Sequence, residues 1–135
     1  MKIGIAIANY YPGISLNLLN SVEKNLKKNG FRNYKTFYAN GIFEIPYIVS
    51  KNISEFDAFI TLGCVIKGET THFDFLCYSV FSGLVKLSIK KKKPVINGIL
   101  TCANKSQALA RSSINKKDKG KECVKALVTL LNKSK

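Results

Sequence analysis

The sequence predicts an α/β fold in which a parallel sheet lies between layers of helices. Most candidate strands are continuous apolar runs rather than alternating apolar and polar residues, which is typical of strands covered on both faces. These runs alternate with segments whose apolar residues recur at helical spacing, the order expected of a parallel sheet. The length of 135 residues suits one domain, which we place at residues 1–135.

The first half of the chain is predicted to contain two strands, each followed by a helix. Residues 3–8 are the first strand, and Ser15 is in a position to cap the helix that follows. Gly30 ends that helix, because glycine readily adopts the conformation needed after a last helical turn. The apolar face of the helix consists of Leu16, Leu19, Val22 and Leu26. Residues 34–39 are the second strand, and Pro46 is expected in the first turn of a short helix.

The second half is predicted to supply two more strands and three helices. We place these elements at residues 56–62, 72–89, 94–100, 105–111 and 119–131. Gly63 should open a loop that runs to Thr71, and the long helix after it ends in the cations of residues 90–93. The apolar residues of that helix are Phe75, Leu76, Val80, Leu84 and Leu87. The complete order predicts a flavodoxin-like three-layer sandwich with a four-stranded parallel sheet flanked by helices.

The net charge of +14 raises the question of a nucleic-acid partner. The excess is nearly all lysine, however, and Arg32 and Arg111 are the only arginines, the side chains that usually read bases and phosphates. A cationic surface that steers anionic substrates explains the charge equally well. We therefore expect no nucleic-acid partner.

No apolar run approaches the roughly 20 residues that a membrane helix needs. The apolar start of the chain resembles a signal peptide, but it leads into Asn9, Tyr10, Tyr11 and Pro12 rather than a small-residue cleavage site. We expect no membrane association and a cytoplasmic location. The four cysteines form no Cys-x-x-Cys pair and accompany a single histidine, so we expect buried reduced thiols and no metal site.

Ligands of such sheets bind beyond the carboxyl ends of the strands, and the loops predicted there carry chemically useful residues. Residues 68–72 (GETTH) lead into a helix and are either an anion site or an ordinary capping turn in which Thr70 or Thr71 is the cap. His72 is the single histidine of the chain, the residue type most often used for proton transfer in catalysis, and is either a proton shuttle or a structural residue. Glu44 either complements the positive end of a helix or accepts hydrogen bonds from a polyol.

Three segments together resemble the lumazine synthase family, and the resemblance covers essentially the whole chain. They are residues 41–46 (GIFEIP), 62–74 (LGCVIKGETTHFD) and 94–101 (PVINGILT). Each motif is weak alone, whereas the three in this order and spacing are specific. The resemblance implies condensation of 5-amino-6-ribitylaminouracil with 3,4-dihydroxy-2-butanone 4-phosphate, with loss of phosphate and water, without a metal or cofactor. The alternative is a flavin- or lumazine-binding relative without turnover.

The resemblance also implies a role for individual residues. It assigns the pyrimidine and ribityl contacts to Tyr10, Ile42, Phe43, Glu44, Cys64, Val65, Ile66 and Asn97. Among these, Tyr10 would stack on the pyrimidine, Glu44 would accept from the ribityl hydroxyls, and Asn97 replaces the phenylalanine of many members. It assigns phosphate binding to Glu69, Thr70, Arg111 and Lys119, and proton transfer to His72.

The resemblance implies an oligomer with its sites at subunit interfaces. Arg111 matches an arginine that reaches the phosphate from a neighbouring subunit. We expect a homopentamer or a capsid built of pentamers, with riboflavin synthase as a candidate partner. Two departures bear on the larger assembly: residues 112–118 replace a turn that influences it, and the chain starts at its first core strand without the extension that adds a strand to a neighbour's sheet.

Overall fold

The four strands form one parallel sheet in the order β2-β1-β3-β4. The computed structural model describes residues 1–131. The strands are β1 (Lys2–Ala8), β2 (Asn33–Ala39), β3 (Ala58–Ile66) and β4 (Val95–Cys102). The α-helices are α1 (Pro12–Lys28), α2 (Ile45–Asn52), α3 (Phe73–Lys91), α4 (Lys105–Ser112) and α5 (Lys119–Leu131). Two short 3-10 helices, Ile42–Glu44 and Ile53–Glu55, flank α2.

Two apolar clusters, one on each face of the sheet, make three layers. One cluster joins the sheet to α1, α4 and α5 and includes Ile5, Leu18 and Leu127. The other joins it to α2 and α3 and includes Phe59 and Val80. The predicted three-layer α/β sandwich with a four-stranded parallel sheet is therefore confirmed.

The third strand is longer than the sequence predicts. We expected it to stop at Leu62 with a loop from Gly63, but β3 continues to Ile66 because its pairing with β4 runs as far as Cys102. A Cβ atom on Gly63 would lie 3.1 Å from the Ile42 side chain and 3.2 Å from that of Ala8. The glycine thus serves close packing inside a strand rather than a loop.

The start of α1 also differs from the prediction, whereas its end agrees. The helix begins at Pro12, so Ser15 is not its cap; the buried Ser15 hydroxyl instead donates to the Ala8 carbonyl oxygen at 2.9 Å. Leu16, predicted on the apolar face, is 57% exposed. Gly30 follows the helix with φ +85°, and Phe31 N donates to the Leu26 oxygen at 2.9 Å, which completes a Schellman-type ending.

The long helix α3 begins one residue later than expected and exposes part of its apolar sequence. Neither Thr70 nor Thr71 is its cap, because His72 occupies that position and makes no capping side-chain bond. Val80 and Leu84 are buried as predicted, but Phe75 is 76% exposed. Among residues 1–131, no helix combines the length and the hydropathy needed to cross a bilayer.

Candidate functional site

A cleft of about 310 Å³ opens at the carboxyl edge of the sheet. It lies between the loop after β1, the 3-10 helix after β2, the end of β3 and the turn before α3. Its walls are Tyr10, Gly41, Ile42, Phe43, Cys64, Val65, Glu69, Thr70, Thr71 and Leu76. The fold therefore brings together seven residues that the sequence predicted as site residues: Tyr10, Ile42, Phe43, Cys64, Val65, Glu69 and Thr70.

Two aromatic rings stand at the mouth of the cleft. Tyr10 and Phe43 are 66% and 69% exposed, which is unusual for rings of this size. Tyr10 rests edge-on against Tyr11, with ring centroids 5.0 Å apart. Exposed rings beside a cleft are suited to stacking on a planar ligand.

Glu44 lies beside the cleft and is partly engaged by the main chain. Its Oε1 accepts a hydrogen bond from Gly41 N at 3.1 Å, which holds the start of the 3-10 helix together. This bond belongs to the 3-10 helix and not to the start of α2, where Glu44 makes no side-chain capping bond. The side chain is exposed, so its second carboxylate oxygen is accessible to a ligand.

The end of β3 forms the floor of the cleft. Cys64 and Val65 line it, whereas Ile66 is buried in the cluster on the α1 and α5 face. Burial raises the pKa of the Cys64 thiol to about 12, and the neighbouring Cys102 adds to this shift. Cys64 is therefore a protonated wall residue at neutral pH rather than a nucleophile.

The turn that leads into α3 is exposed and tightly bent. Gly68 has φ +89°, a conformation that favours glycine, and Glu69 N donates to the Ile66 oxygen at 3.2 Å. Glu69 Oε1 accepts a hydrogen bond from the Tyr11 hydroxyl at 2.8 Å. Sequence reasoning gave Tyr11 no site role, and its only signal was its position beside Tyr10.

His72 lies at the rim of the cleft rather than in its wall. It is exposed and follows Thr71, which does line the cleft. Its backbone is left-handed, with φ 56° and ψ 40°, a strained conformation for a residue other than glycine. Such strain occurs often at functional positions.

Arg111 and Lys119 lie in a second cavity, of about 290 Å³, together with Thr101. Arg111 Nη1 donates to the Thr101 main-chain oxygen at 3.2 Å, and Lys119 pairs with Glu122 at 3.1 Å. Lys117, which sequence reasoning did not select, lines the same cavity. Within one chain the structure does not join these cations to the turn that carries Glu69 and Thr70.

Asn97 also lies outside the first cleft. It is exposed in the edge strand β4, and its Oδ1 accepts from Ile99 N at 3.0 Å. Alternate residues of a strand point to one face, so Asn97 is in the same row as Ile99 and Thr101, both of which line the Arg111 cavity. Asn97 itself lines neither the cleft nor the Arg111 cavity.

Comparison with known protein families identifies the family of this chain. All of residues 1–135 match the family described as 6,7-dimethyl-8-ribityllumazine synthase. The chain belongs to this family. The chain is also similar to a 6,7-dimethyl-8-ribityllumazine synthase of Limosilactobacillus reuteri (strain DSM 20016), with 32% identity over 133 residues, which are 97% of this chain and 88% of the relative.

Membership of the lumazine synthase family confirms the resemblance inferred from the three motifs. The four cysteines are buried, as the sequence predicted. Within residues 1–131, no group of three His, Cys, Asp or Glu side chains is placed to hold a metal ion. The cleft itself is lined by aromatic rings, apolar side chains and the turn of Glu69, Thr70 and Thr71.

Proposed function

We propose that this chain condenses 5-amino-6-ribitylaminouracil with 3,4-dihydroxy-2-butanone 4-phosphate, releasing phosphate and water, to form 6,7-dimethyl-8-ribityllumazine in the penultimate step of riboflavin biosynthesis. Family membership supports the reaction. The structural observation that carries the proposal is the single cleft that unites the exposed ring of Tyr10, the end of β3 and the turn of Glu69 and Thr70.

The pyrimidine would lie on the floor of the cleft. The pairing of β3 with β1 stops at Leu62, so Cys64 and Val65 have no β1 partner on that edge. Main-chain groups without a strand partner on that edge can donate and accept the hydrogen bonds that a uracil ring requires. Tyr10 would cover the ring by stacking. Ile66, which is buried, would contribute through its main chain.

The ribityl chain would extend past Ile42 and Phe43. Glu44 offers its second carboxylate oxygen as an acceptor for sugar hydroxyls, because only Oε1 is occupied by Gly41 N. A carboxylate accepts strong hydrogen bonds from hydroxyl groups. The exposed edge of the 3-10 helix would thus fix the polyol.

The phosphate would bind at the turn before α3, with cations from a second copy of the chain. The start of α3 offers unpaired main-chain donors, and Thr70 adds a hydroxyl. Arg111 and Lys119 line a cavity other than the cleft, and in this proposal they serve the phosphate of a neighbouring subunit. Asn97, which is exposed in the edge strand β4, would close the pyrimidine pocket of the neighbouring subunit.

A homopentamer, alone or as the unit of a capsid, is part of the proposal. The outer face of α3 carries Phe75, Tyr78, Val85 and Ile89, all strongly exposed in the single chain. An apolar row of this length on one helix favours burial against a partner subunit. We include a cytoplasmic location and a complex with riboflavin synthase, which would consume the lumazine product.

His72 would move the protons of the reaction. The amino group of the pyrimidine attacks the ketone carbon, water leaves as the imine forms, a C–O bond breaks to release phosphate, and the ribitylamino nitrogen closes the ring with loss of water. Each step needs a proton taken up or released near the bond that changes. His72, the last residue of the phosphate turn and exposed at the rim of the cleft, is the only histidine of the chain.

The test is to mix purified protein with both substrates and follow lumazine absorbance. We expect a rate well above the spontaneous condensation and a mass by light scattering of at least five chains. Tight binding of the pyrimidine without added rate would identify a non-catalytic relative instead. A rate equal to the spontaneous one and no binding would contradict the proposal.

A further inference from the structure

One side-chain hydrogen bond crosses the rim of the cleft. The Tyr11 hydroxyl donates to Glu69 Oε1 at 2.8 Å and joins residues 58 positions apart. It connects the loop after β1 to the turn after β3. Among residues 1–131, it is the only side-chain hydrogen bond that the turn of residues 67–72 makes to another segment.

Tyr11 is well anchored, whereas the turn is not. The Tyr11 ring is partly buried and packs on the apolar cluster of the α1 face, and the Tyr10 ring contacts it edge-on. Lys67, Gly68, Glu69 and Thr71 are exposed. The hydrogen bond therefore fastens an exposed turn to a fixed side chain.

We propose that Tyr11 is a positioning residue for the phosphate-bearing substrate, holding the Glu69 carboxylate so that Thr70 and the start of α3 can receive the phosphate. The inference rests on the proposed function, since it concerns how the same turn binds an anion. Tyr11 itself touches Glu69 and Tyr10 and does not need to touch the substrate.

The negative charge of Glu69 explains why its side chain has to be held by a hydrogen bond. A carboxylate in an anion-binding turn repels a phosphate when it is free to swing toward it. The hydroxyl of Tyr11 occupies one carboxylate oxygen and restrains the side chain. Burial and the neighbouring Glu69 both raise the pKa of the Tyr11 phenol, so it stays protonated and remains a donor throughout the neutral range.

The test compares Tyr11→Phe with the wild-type oligomer, measuring both KM values, kcat and the melting temperature. We expect the KM for the ketone phosphate to rise about 10-fold, the scale of one hydrogen bond to a charged group. The KM for the pyrimidine and kcat should stay within about twofold, since Tyr10 and the β3 floor are unchanged. Tyr47→Phe, which removes an exposed hydroxyl on α2, is the matched control and should have no effect.

The double variant Tyr11→Phe/Glu69→Gln separates positioning from simple packing. A neutral amide does not repel phosphate, so it should restore most of the lost affinity for the ketone phosphate. No restoration, or an equal rise of both KM values, would overturn the inference. The affinity for inorganic phosphate, measured by calorimetry on the same four proteins, should follow the same order and does not depend on turnover. The wild type could prove inactive while the affinity for inorganic phosphate still falls in Tyr11→Phe and recovers in the double variant. That result would contradict the proposed reaction and would support the role of Tyr11.

Discussion

Arg111 Nη1 donates to the main-chain oxygen of Thr101 at 3.2 Å, which fixes the guanidinium against the end of β4. The same nitrogen lies 3.7 Å from Cys102 Sγ. The side chain is half-buried and borders a cavity that also contains Lys119. A guanidinium held in this way keeps other donors available for an anion.

We expect Arg111→Ala to raise the KM for the ketone phosphate by roughly 10- to 100-fold, because a charge-assisted hydrogen bond to the phosphate is lost. The KM for the pyrimidine should change little. Arg111→Lys should recover part of the affinity, since it restores the charge but not the planar fork. Steady-state kinetics with each substrate varied in turn measure both constants. An unchanged ketone phosphate KM in Arg111→Ala would remove Arg111 from the phosphate site.

We expect His72→Asn to lower kcat on the order of 10²-fold, the usual contribution of a general acid or base. Asparagine accepts the left-handed backbone of this position, with φ 56°, but cannot shuttle a proton. The residual rate should exceed the spontaneous one, because binding and proximity remain. Stopped-flow and steady-state lumazine formation measure this, with the melting temperature as the folding control. An unchanged kcat would assign His72 to structure alone.

The sheet was predictable from the sequence because β1 and β3 are buried on both faces and consist of continuous apolar residues. The end of β3 was not predictable from the sequence. A glycine such as Gly63 indicates a loop unless the side chains that pack closely against it are known. The true start of α1 was also missed, because Ser15 matches a cap in sequence although its hydroxyl bonds to Ala8.

The parts of the cleft that follow from the sheet topology could be predicted from the sequence. The carboxyl ends of β1, β2 and β3 meet at one edge, so Tyr10, Phe43 and Glu69 come together. The bond from Tyr11 to Glu69 depends on side-chain directions across 58 positions, which no local pattern contains. The placement of Arg111 outside the cleft was missed because it depends on how α4 packs against the end of β4.

We expect Gly98→Ala to destabilise the protein by about 1–3 kcal/mol, as overpacking of a core does. A Cβ atom at Gly98 would lie 2.7 Å from Cys123 Sγ, from Leu62 Cδ2 and from the Thr61 main-chain oxygen. The main-chain atom cannot move without disturbing β3. Gly13→Ala is the control, because nothing lies within 4 Å of the added atom. Urea unfolding of both variants measures the difference, and equal midpoints would contradict the prediction.

We expect the buried thiols to destabilise the fold at alkaline pH. Burial raises the pKa of Cys123 to about 11 and that of Cys64 to about 12, from an ordinary value of 9.0. The folded state then retains protons that the unfolded state has lost, so the free energy of unfolding falls as the pH rises above 9.0. In Cys123→Ala the free energy of unfolding should fall less steeply than in the wild type between pH 9.0 and about 11, the ordinary and the raised pKa of this thiol. Urea unfolding across this pH range measures the slopes, and a stability that rises with pH would contradict the assignment.

We expect Val85→Asp to dissociate the oligomer and to abolish lumazine formation at low protein concentration. Val85 is exposed in the apolar row of α3, and a carboxylate buried there would have no partner. Loss of activity with intact folding follows if Arg111 must reach the cleft of a neighbouring chain. Ala126→Asp, at an exposed position of α5 on the opposite face of the sheet, adds the same single negative charge as a matched control and should remain assembled. Light scattering, circular dichroism and the lumazine assay are measured on the same samples, and a folded, active monomer of Val85→Asp would show that each site is complete within one chain.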